Sequence, residues 1–255
     1  MQRDHFPLMH YLTILFFVLS ISSLATAQQT QSYISRGSSL TPTKTSSWLS
    51  KSGLYAFGFY QRGNGYSVGV FLAGIPEKTV VWTANRNVPP VSGNATLLLT
   101  DADVRLVLQT EQDQDTDIAD ISQTASYASM LDTGNFVLYN SDGDIIWQSF
   151  AYPTDNLLPT QILPAPNELF SSLSLTDQST GIFFLRMQRD GNLVLYPIGN
   201  PIPEYAYWQS ETYDMGDKGS LNLDLDGRLY ILNATGFTSK NLTHECLEDR
   251  EPYIC

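Results

Sequence analysis

The chain has 255 residues, 42% of them apolar and only 16% charged, with a formal net charge of −12. That length serves one large domain or two small ones, while a pI near 4.5 excludes nucleic acid and anionic membrane as partners, since both need a basic face. An aromatic content of 12% argues against disorder, and abundant Ser, Thr, Tyr and Gly predict an all-β protein.

The amino terminus has the form of a secretory leader. Met1 to Tyr11 carries Arg3 and Asp4 as its fixed charges, the apolar run Leu12 to Leu24 follows, and Ala25-Thr26-Ala27 supplies small residues for cleavage. A signal peptide over 1–27 is therefore expected; the run is too short and too serine-rich for a comfortable membrane span. Cleavage leaves 228 residues, in which no later stretch is apolar enough to cross a bilayer. Secretion agrees with three sequons, at Asn94, Asn233 and Asn241.

Thirty Gly and Pro residues break the chain into short apolar runs, the spacing of many short strands joined by turns. A repeat organises them. Thr133-Gly-Asn-Phe-Val-Leu-Tyr139 is echoed by Asp190-Gly-Asn-Leu-Val-Leu-Tyr196, with looser copies at Asp103–Leu108 and Asp226–Leu232. A tryptophan phrase closes the two best copies, at Trp147-Gln148-Ser149 and Trp208-Gln209-Ser210, with a relative at Val80-Val81-Trp82-Thr83. Each unit predicts a hairpin followed by a strand with an inward tryptophan. Such units cannot bury their faces alone and must pack together.

Motifs of catalysis and metal binding are weak. His5 and His10 leave with the leader, so His244 alone remains, too little for a histidine triad or metal cluster. The acidic run Glu111, Asp113, Asp115, Asp117, Asp120 has Ile118 where a calcium loop needs Gly and Thr124 where it needs Glu. No cofactor or metal is expected, and no enzymatic activity. Residues 28–245 contain no cysteine; Cys246 and Cys255 could pair with each other or with partners beyond this chain, and a chain ending on Cys255 suggests a cut.

One constellation stands out. Gln188, Asp190, Asn192, Val194 and Tyr196 occupy every second position across a predicted strand–turn–strand, with Asp190-Gly191 turning between Phe183–Gln188 and Asn192–Tyr196. Amides, a carboxylate, a phenol and an aliphatic patch match a sugar ring, whose hydroxyls donate and accept while its C–H face seeks apolar contact. Spacing alone equally fits a hairpin whose Asp-Gly turn serves only folding.

At these five residues the chain resembles the bulb-type (monocot mannose-binding) lectins, whose motif is Gln-x-Asp-x-Asn-x-Val-x-Tyr. Val81-Trp82-Thr83-Ala84-Asn85-Arg86, Trp147-Gln148-Ser149-Phe150, Pro153-Thr154-Asp155 and Leu158-Pro159 are similar to the extracellular part of plant G-type lectin S-domain receptor-like kinases. The resemblance implies tandem β-prism II domains, each of three antiparallel sheets with pseudo-threefold symmetry. Their expected extents are 28–150, with degenerate sites, and 151–240, carrying the intact motif, before a truncated cysteine-containing tail over 241–255. It further implies that Gln188, Asp190, Asn192 and Tyr196 hydrogen-bond mannose hydroxyls while Val194 contacts ring carbons. The implied partners are mannose or mannose-containing glycans, with other receptor ectodomains or self-association as further candidates. The other copies depart from the motif: Leu131 and Thr133 replace Gln and Asp in the first, and Arg105 and Arg228 replace Asn in the looser two.

Overall fold

A computed structural model describes residues 33–75, 79–103, 105–111, 115–121, 123–213 and 218–243. The expected leader, His244, Cys246 and Cys255 lie outside the described residues. Alternating, β-branched and aromatic runs punctuated by glycine turns form strands throughout, and no α-helix occurs among the described residues. In chain order they are β1 (Ile34–Ser35), β2 (Ser39–Leu40), β3 (Ser47–Leu49), β4 (Tyr55–Arg62), β5 (Gly65–Leu72) and β6 (Val80–Thr83). Then come β7 (Thr96–Leu99), β8 (Leu106–Gln109), β9 (Thr116–Asp117), β10 (Tyr127–Met130), β11 (Phe136–Tyr139) and β12 (Ile145–Gln148). A second series follows: β13 (Ile162–Pro164), β14 (Glu168–Ser174), β15 (Asp177–Met187), β16 (Leu193–Pro197), β17 (Trp208–Gln209), β18 (Ser220–Leu223), β19 (Leu229–Leu232) and β20 (Thr238–Asn241).

These strands make five four-stranded antiparallel sheets, nested in sequence. The three short strands that come first each wait for a later hairpin-plus-strand: β3 joins β4–β6, β2 joins β7–β9, and β1 joins β10–β12. The nesting repeats in the second series, where β14 joins β15–β17 and β13 joins β18–β20. The all-β antiparallel architecture expected from the resemblance is present, with the expected three sheets over residues 34–148; over residues 162–241 the expectation of three is corrected to two among the described residues.

The core of the first three sheets is aromatic. Phe57 stacks on Phe136 at 3.7 Å between ring centroids, and Trp82 meets Trp147 edge-on at 6.0 Å. Leu97, Leu99, Leu106, Met130 and Leu138 close around them, fully buried. The expectation of inward tryptophans therefore holds for Trp82 and Trp147, but Trp208 departs from it. Trp147 is 5% exposed, whereas Trp208 is 44% exposed. Their register is equivalent, Trp147 opposite Leu138 and Trp208 opposite Leu195. The difference lies in what encloses them: three described sheets share a core around Trp147, and only two stand in the second series.

The two series pack on each other through Arg86, in the loop after β6. Its guanidinium donates to the backbone oxygens of Gln178 (2.7 Å), Phe170 (3.0 Å) and Ser171 (3.2 Å) on the β14–β15 hairpin. Burial pulls this guanidinium below its ordinary pKa, opposed by the charge of Asp155. Asn87 Oδ1 accepts from Thr180 N at 2.9 Å, Arg62 faces Asp177 at 3.7 Å, and Trp82 Nε1 donates to Tyr152 O at 2.7 Å. Capping backbone carbonyls with one planar cation is a use arginine's fixed fork suits.

Candidate glycan site on the beta15 to beta16 hairpin

The motif lies where the spacing puts it, across the turn between β15 and β16. Gln188 and Asn192 close the hairpin (Gln188 N to Asn192 O, 2.8 Å), and Gly191 N donates to Gln188 O at 3.1 Å. Arg189 to Gly191 form the loop, and Gly191 sits at φ +91°, a left-handed conformation that favours glycine. Asp190 Oδ1 accepts from Asn192 N at 3.0 Å, an Asx turn that fixes the carboxylate at the tip.

Beyond the turn, the motif splits into two sets. Gln188 Nε2 donates to Tyr196 Oη at 3.0 Å, so the first and last residues of the motif are joined directly. Asn192 instead turns to the fourth strand. Its Nδ2 donates to Gln209 Oε1 at 3.0 Å, while its Oδ1 accepts from Ser210 Oγ (3.0 Å) and Thr212 N (3.2 Å). Ser210 Oγ in turn accepts from Leu193 N at 2.8 Å. The predicted turn places Gln188, Asp190 and Asn192 at one end of the hairpin, but the Asn192 amide is drawn away because buried hydroxyl and backbone groups of Ser210 and Thr212, just after β17, need partners.

Register explains what covers the remaining residues. Arg186 lies opposite Val194 and Phe184 opposite Tyr196, with Glu168 and Phe170 next along the same rows on β14. Phe184, Val194 and Tyr196 form one cluster with Phe170 and Ala206 against it. Phe184 lies 5.6 Å from Tyr196 between centroids, and the Arg186 guanidinium, paired with Glu168, sits 4.9 Å over the Phe184 ring. Val194 is left 1% exposed and Tyr196 2%. Gln188 is half-buried and Asp190 exposed, so these two carry the accessible polar heads of the motif.

The same clamp recurs in all four copies, and the sequence reading missed it. Asn135 Nδ2 donates to Gln148 Oε1 at 2.8 Å, and Asn135 Oδ1 accepts from Ser149 Oγ and Phe150 N, each at 3.2 Å. Where Arg stands at the Asn position it makes the equivalent reach, Arg105 to Asp117 (2.6 Å) and Arg228 to Asn241 (3.0 Å). In every copy the fourth-strand partner lies opposite the residue at the Val position: Gln148 opposite Val137, Gln209 opposite Val194, Asp117 opposite Val107, Asn241 opposite Tyr230. The signal for it was the Gln-Ser that follows each of the two later tryptophans, which had been read only as flanking a core residue.

Asp117, from the acidic run, is thus spent on Arg105, and no group of three or more metal-type side chains occurs among the described residues. Of the sequons, Asn94 is exposed in a loop with Nδ2 2.5 Å from Glu111 Oε1, Asn233 accepts from Thr235 Oγ1 at 2.8 Å, and Asn241 closes β20. No helix among the described residues is long and apolar enough to cross a membrane.

Nested four-stranded sheets, tryptophan strands and the repeated hairpin clamp define the chain as a bulb-type lectin-domain protein, and the D-mannose binding lectin family matches it over residues 79–176. It is related to the plant G-type lectin S-receptor-like serine/threonine-protein kinases. LECRK2 of Oryza sativa subsp. japonica is 39% identical over 82% of this chain, and RLK1 of Arabidopsis thaliana is 32% identical over 85%. The chain spans 27% of the length of each. Among solved structures, the lectin from Colocasia esculenta is 30% identical, covering 34% of this chain and 65% of its own, with a TM-score of 0.26. The family match ends at residue 176, before Gln188.

Proposed function

We propose that this chain is a secreted or cell-surface module that binds mannose-type glycans weakly, through the rim of the 188–196 hairpin. The observation that carries this reading is the complete five-residue motif on one hairpin, with Gln188 Nε2 bridged to Tyr196 Oη at 3.0 Å beside the exposed Asp190. Gln188, Asp190, Asn192 and Tyr196 supply the polar contacts to the sugar hydroxyls, Asn192 through its second Nδ2 hydrogen, and Val194 the apolar one. The reading includes the leader over 1–27, lectin units over 28–150 and 151–240, and glycans on Asn94, Asn233 and Asn241. Four hydrogen bonds contribute about 0.5–1.5 kcal/mol each before the sugar is immobilised. One site then falls near millimolar affinity, about −4 kcal/mol, and useful binding needs several copies clustered.

Titrating mannose into the folded chain tests this. Amide shifts at Gln188 and Asp190, saturating in the millimolar range and lost in a Gln188→Ala, Asp190→Ala double variant, are expected. Absence of shifts at about 50 mM mannose, far above a millimolar dissociation constant, would sink it. A second reading is favoured by the burial of Val194 and Tyr196 in a cluster with Phe184, Phe170 and Ala206. In it the fold is kept for protein–protein recognition, and the same double variant leaves partner binding unchanged.

A further inference from the structure

A cleft lies away from the motif, where the two series of sheets meet. It holds about 430 Å³ and is lined by Tyr60, Gln61 and Val80 from the first series and by Leu175, Thr176 and Gln178 from the β14–β15 hairpin. Its walls are fixed in advance, because Arg86, Asn87 and the Arg62–Asp177 pair tie that hairpin to the first series. A pre-formed cleft of this size suits a small ligand, which then loses less on ordering the site.

The lining is mixed in a particular way. Tyr60 is 3% exposed with its hydroxyl bonded to Thr83 Oγ1 at 3.0 Å, and the half-buried Val80 packed against it supplies an apolar wall. Leu175, at the hairpin tip, is 99% exposed, an aliphatic side chain with no protein contact to justify it. Gln61 and Thr176 are exposed polar heads. Gln178 is only 7% exposed; its Nε2 donates to Leu175 O at 3.1 Å, but its buried Oε1 has no hydrogen-bond partner among the described residues. A buried amide oxygen left without a donor is costly, and such a group in a native structure marks a place where another donor belongs. No acid or base lines the cleft among the described residues, and the neighbouring Arg62 and Asp177 are engaged with each other and with Val88 O and Ser179.

We propose that this cleft is a second, independent carbohydrate site, taking one or two neutral sugar rings. The lining among the described residues is neutral and offers no counter-charge to an anion, which favours a neutral ligand. A sugar hydroxyl supplies the donor Gln178 Oε1 lacks once that head turns into the cleft, other hydroxyls accept from Gln61 and Thr176, and the ring C–H face lies on Val80 and Leu175. No residue of the 188–196 hairpin takes part.

The test follows the Gln178 side-chain amide by NMR in the whole folded chain, during titration with mannose, glucose, N-acetylglucosamine and a mannobiose. One of these is expected to shift it at up to about 50 mM, a range that reaches millimolar affinity. Asp190→Ala leaves that shift intact, separating this site from the motif, whereas Gln178→Leu, followed at the Thr176 backbone amide because the side-chain reporter is gone, weakens binding at least about tenfold by removing the acceptor. Thr176→Trp, on an exposed turn that tolerates it, fills the cleft and abolishes the shift. A folded protein with no shift for any sugar overturns the proposal, as does a shift that survives Thr176→Trp. A triglycine peptide that shifts Gln178 where sugars do not overturns the ligand class.

Discussion

The hairpins at 131–139 and 188–196 are built alike and differ in what their tips offer. Each closes with the same backbone pair, Leu131 N to Asn135 O at 2.9 Å and Gln188 N to Asn192 O at 2.8 Å, and each places a glycine at positive φ. Each sends its Asn to a Gln and a Ser on the fourth strand with nearly identical distances. The first has Leu131 and Thr133 where the second has Gln188 and Asp190. Because the Asn clamp is complete in a copy that has lost two sugar-type side chains, the Asn serves the scaffold in both, and at Asn192 the clamp leaves one Nδ2 hydrogen over. What is particular to the second hairpin is Gln188, Asp190 and the bridge to Tyr196.

The strongest way to sharpen that contrast is to remove the tryptophan behind each hairpin. Trp147→Ala empties a sealed core and should cost about 3–5 kcal/mol, while Trp208→Ala, nearly half exposed, should cost about 1 kcal/mol or less. Urea unfolding of both variants checks this, and equal losses would contradict the difference in enclosure. Next comes the clamp. Asn135→Ala and Asn192→Ala each strand a Gln, a Ser and a backbone N–H, so each should lose about 2–3 kcal/mol. A much smaller loss at Asn192 than at Asn135 would take Asn192 out of the scaffold.

The repeat, the strand type and the turn glycines were legible because period-two alternation and Asp-Gly or Thr-Gly turns are local. So was the one-sided placement of Asn192, Val194 and Tyr196. What decides the site was not local. Phe170 and Phe184 reach the Val194–Tyr196 face only through the β14–β15–β16 register, and no spacing within 188–196 encodes that. The inward tryptophan was inferred for Trp208 by analogy with Trp147, and analogy carries no information about how many sheets surround it. Arg86 was noticed as part of a phrase; its work on carbonyls more than eighty residues away depends on how the two series pack.

Smaller effects probe the tip itself. The Gln188→Ala, Asp190→Ala double variant loses one side-chain bridge and one Asx turn, both at the surface, and should cost under about 1 kcal/mol. Mannose affinity should nevertheless fall at least about tenfold, since the lost groups are those facing the sugar. Grafting the pair in reverse, Leu131→Gln with Thr133→Asp, asks whether the tip suffices. Binding gained at the first hairpin would mean that it does, and none gained would mean that the Tyr196 bridge is also required.

The smallest effect separates the two terminal tyrosines. Tyr196 is tied to Gln188, whereas Tyr139 stacks on Tyr127 at 4.8 Å, and burial, then the neighbouring Tyr127 and Tyr33, push its phenol above the ordinary value of 10.0. The folded state therefore favours the neutral phenol. This contribution is fully present below the unfolded pKa near 10 and is lost as pH rises through the folded value, because the unfolded chain then gives up its proton first. Tyr60, raised by burial beside Thr83, acts with the same sign. Stability should thus decline above about pH 10, and Tyr139→Phe should decline less steeply by a small, measurable margin, since its ring keeps the stack while nothing remains to ionise. Chemical-denaturation midpoints on either side of that pH measure it. A Phe variant that declines as steeply as the parent would remove Tyr139 from the account and leave Tyr55, Tyr60 and Tyr230, whose phenols burial also raises, as the groups that titrate.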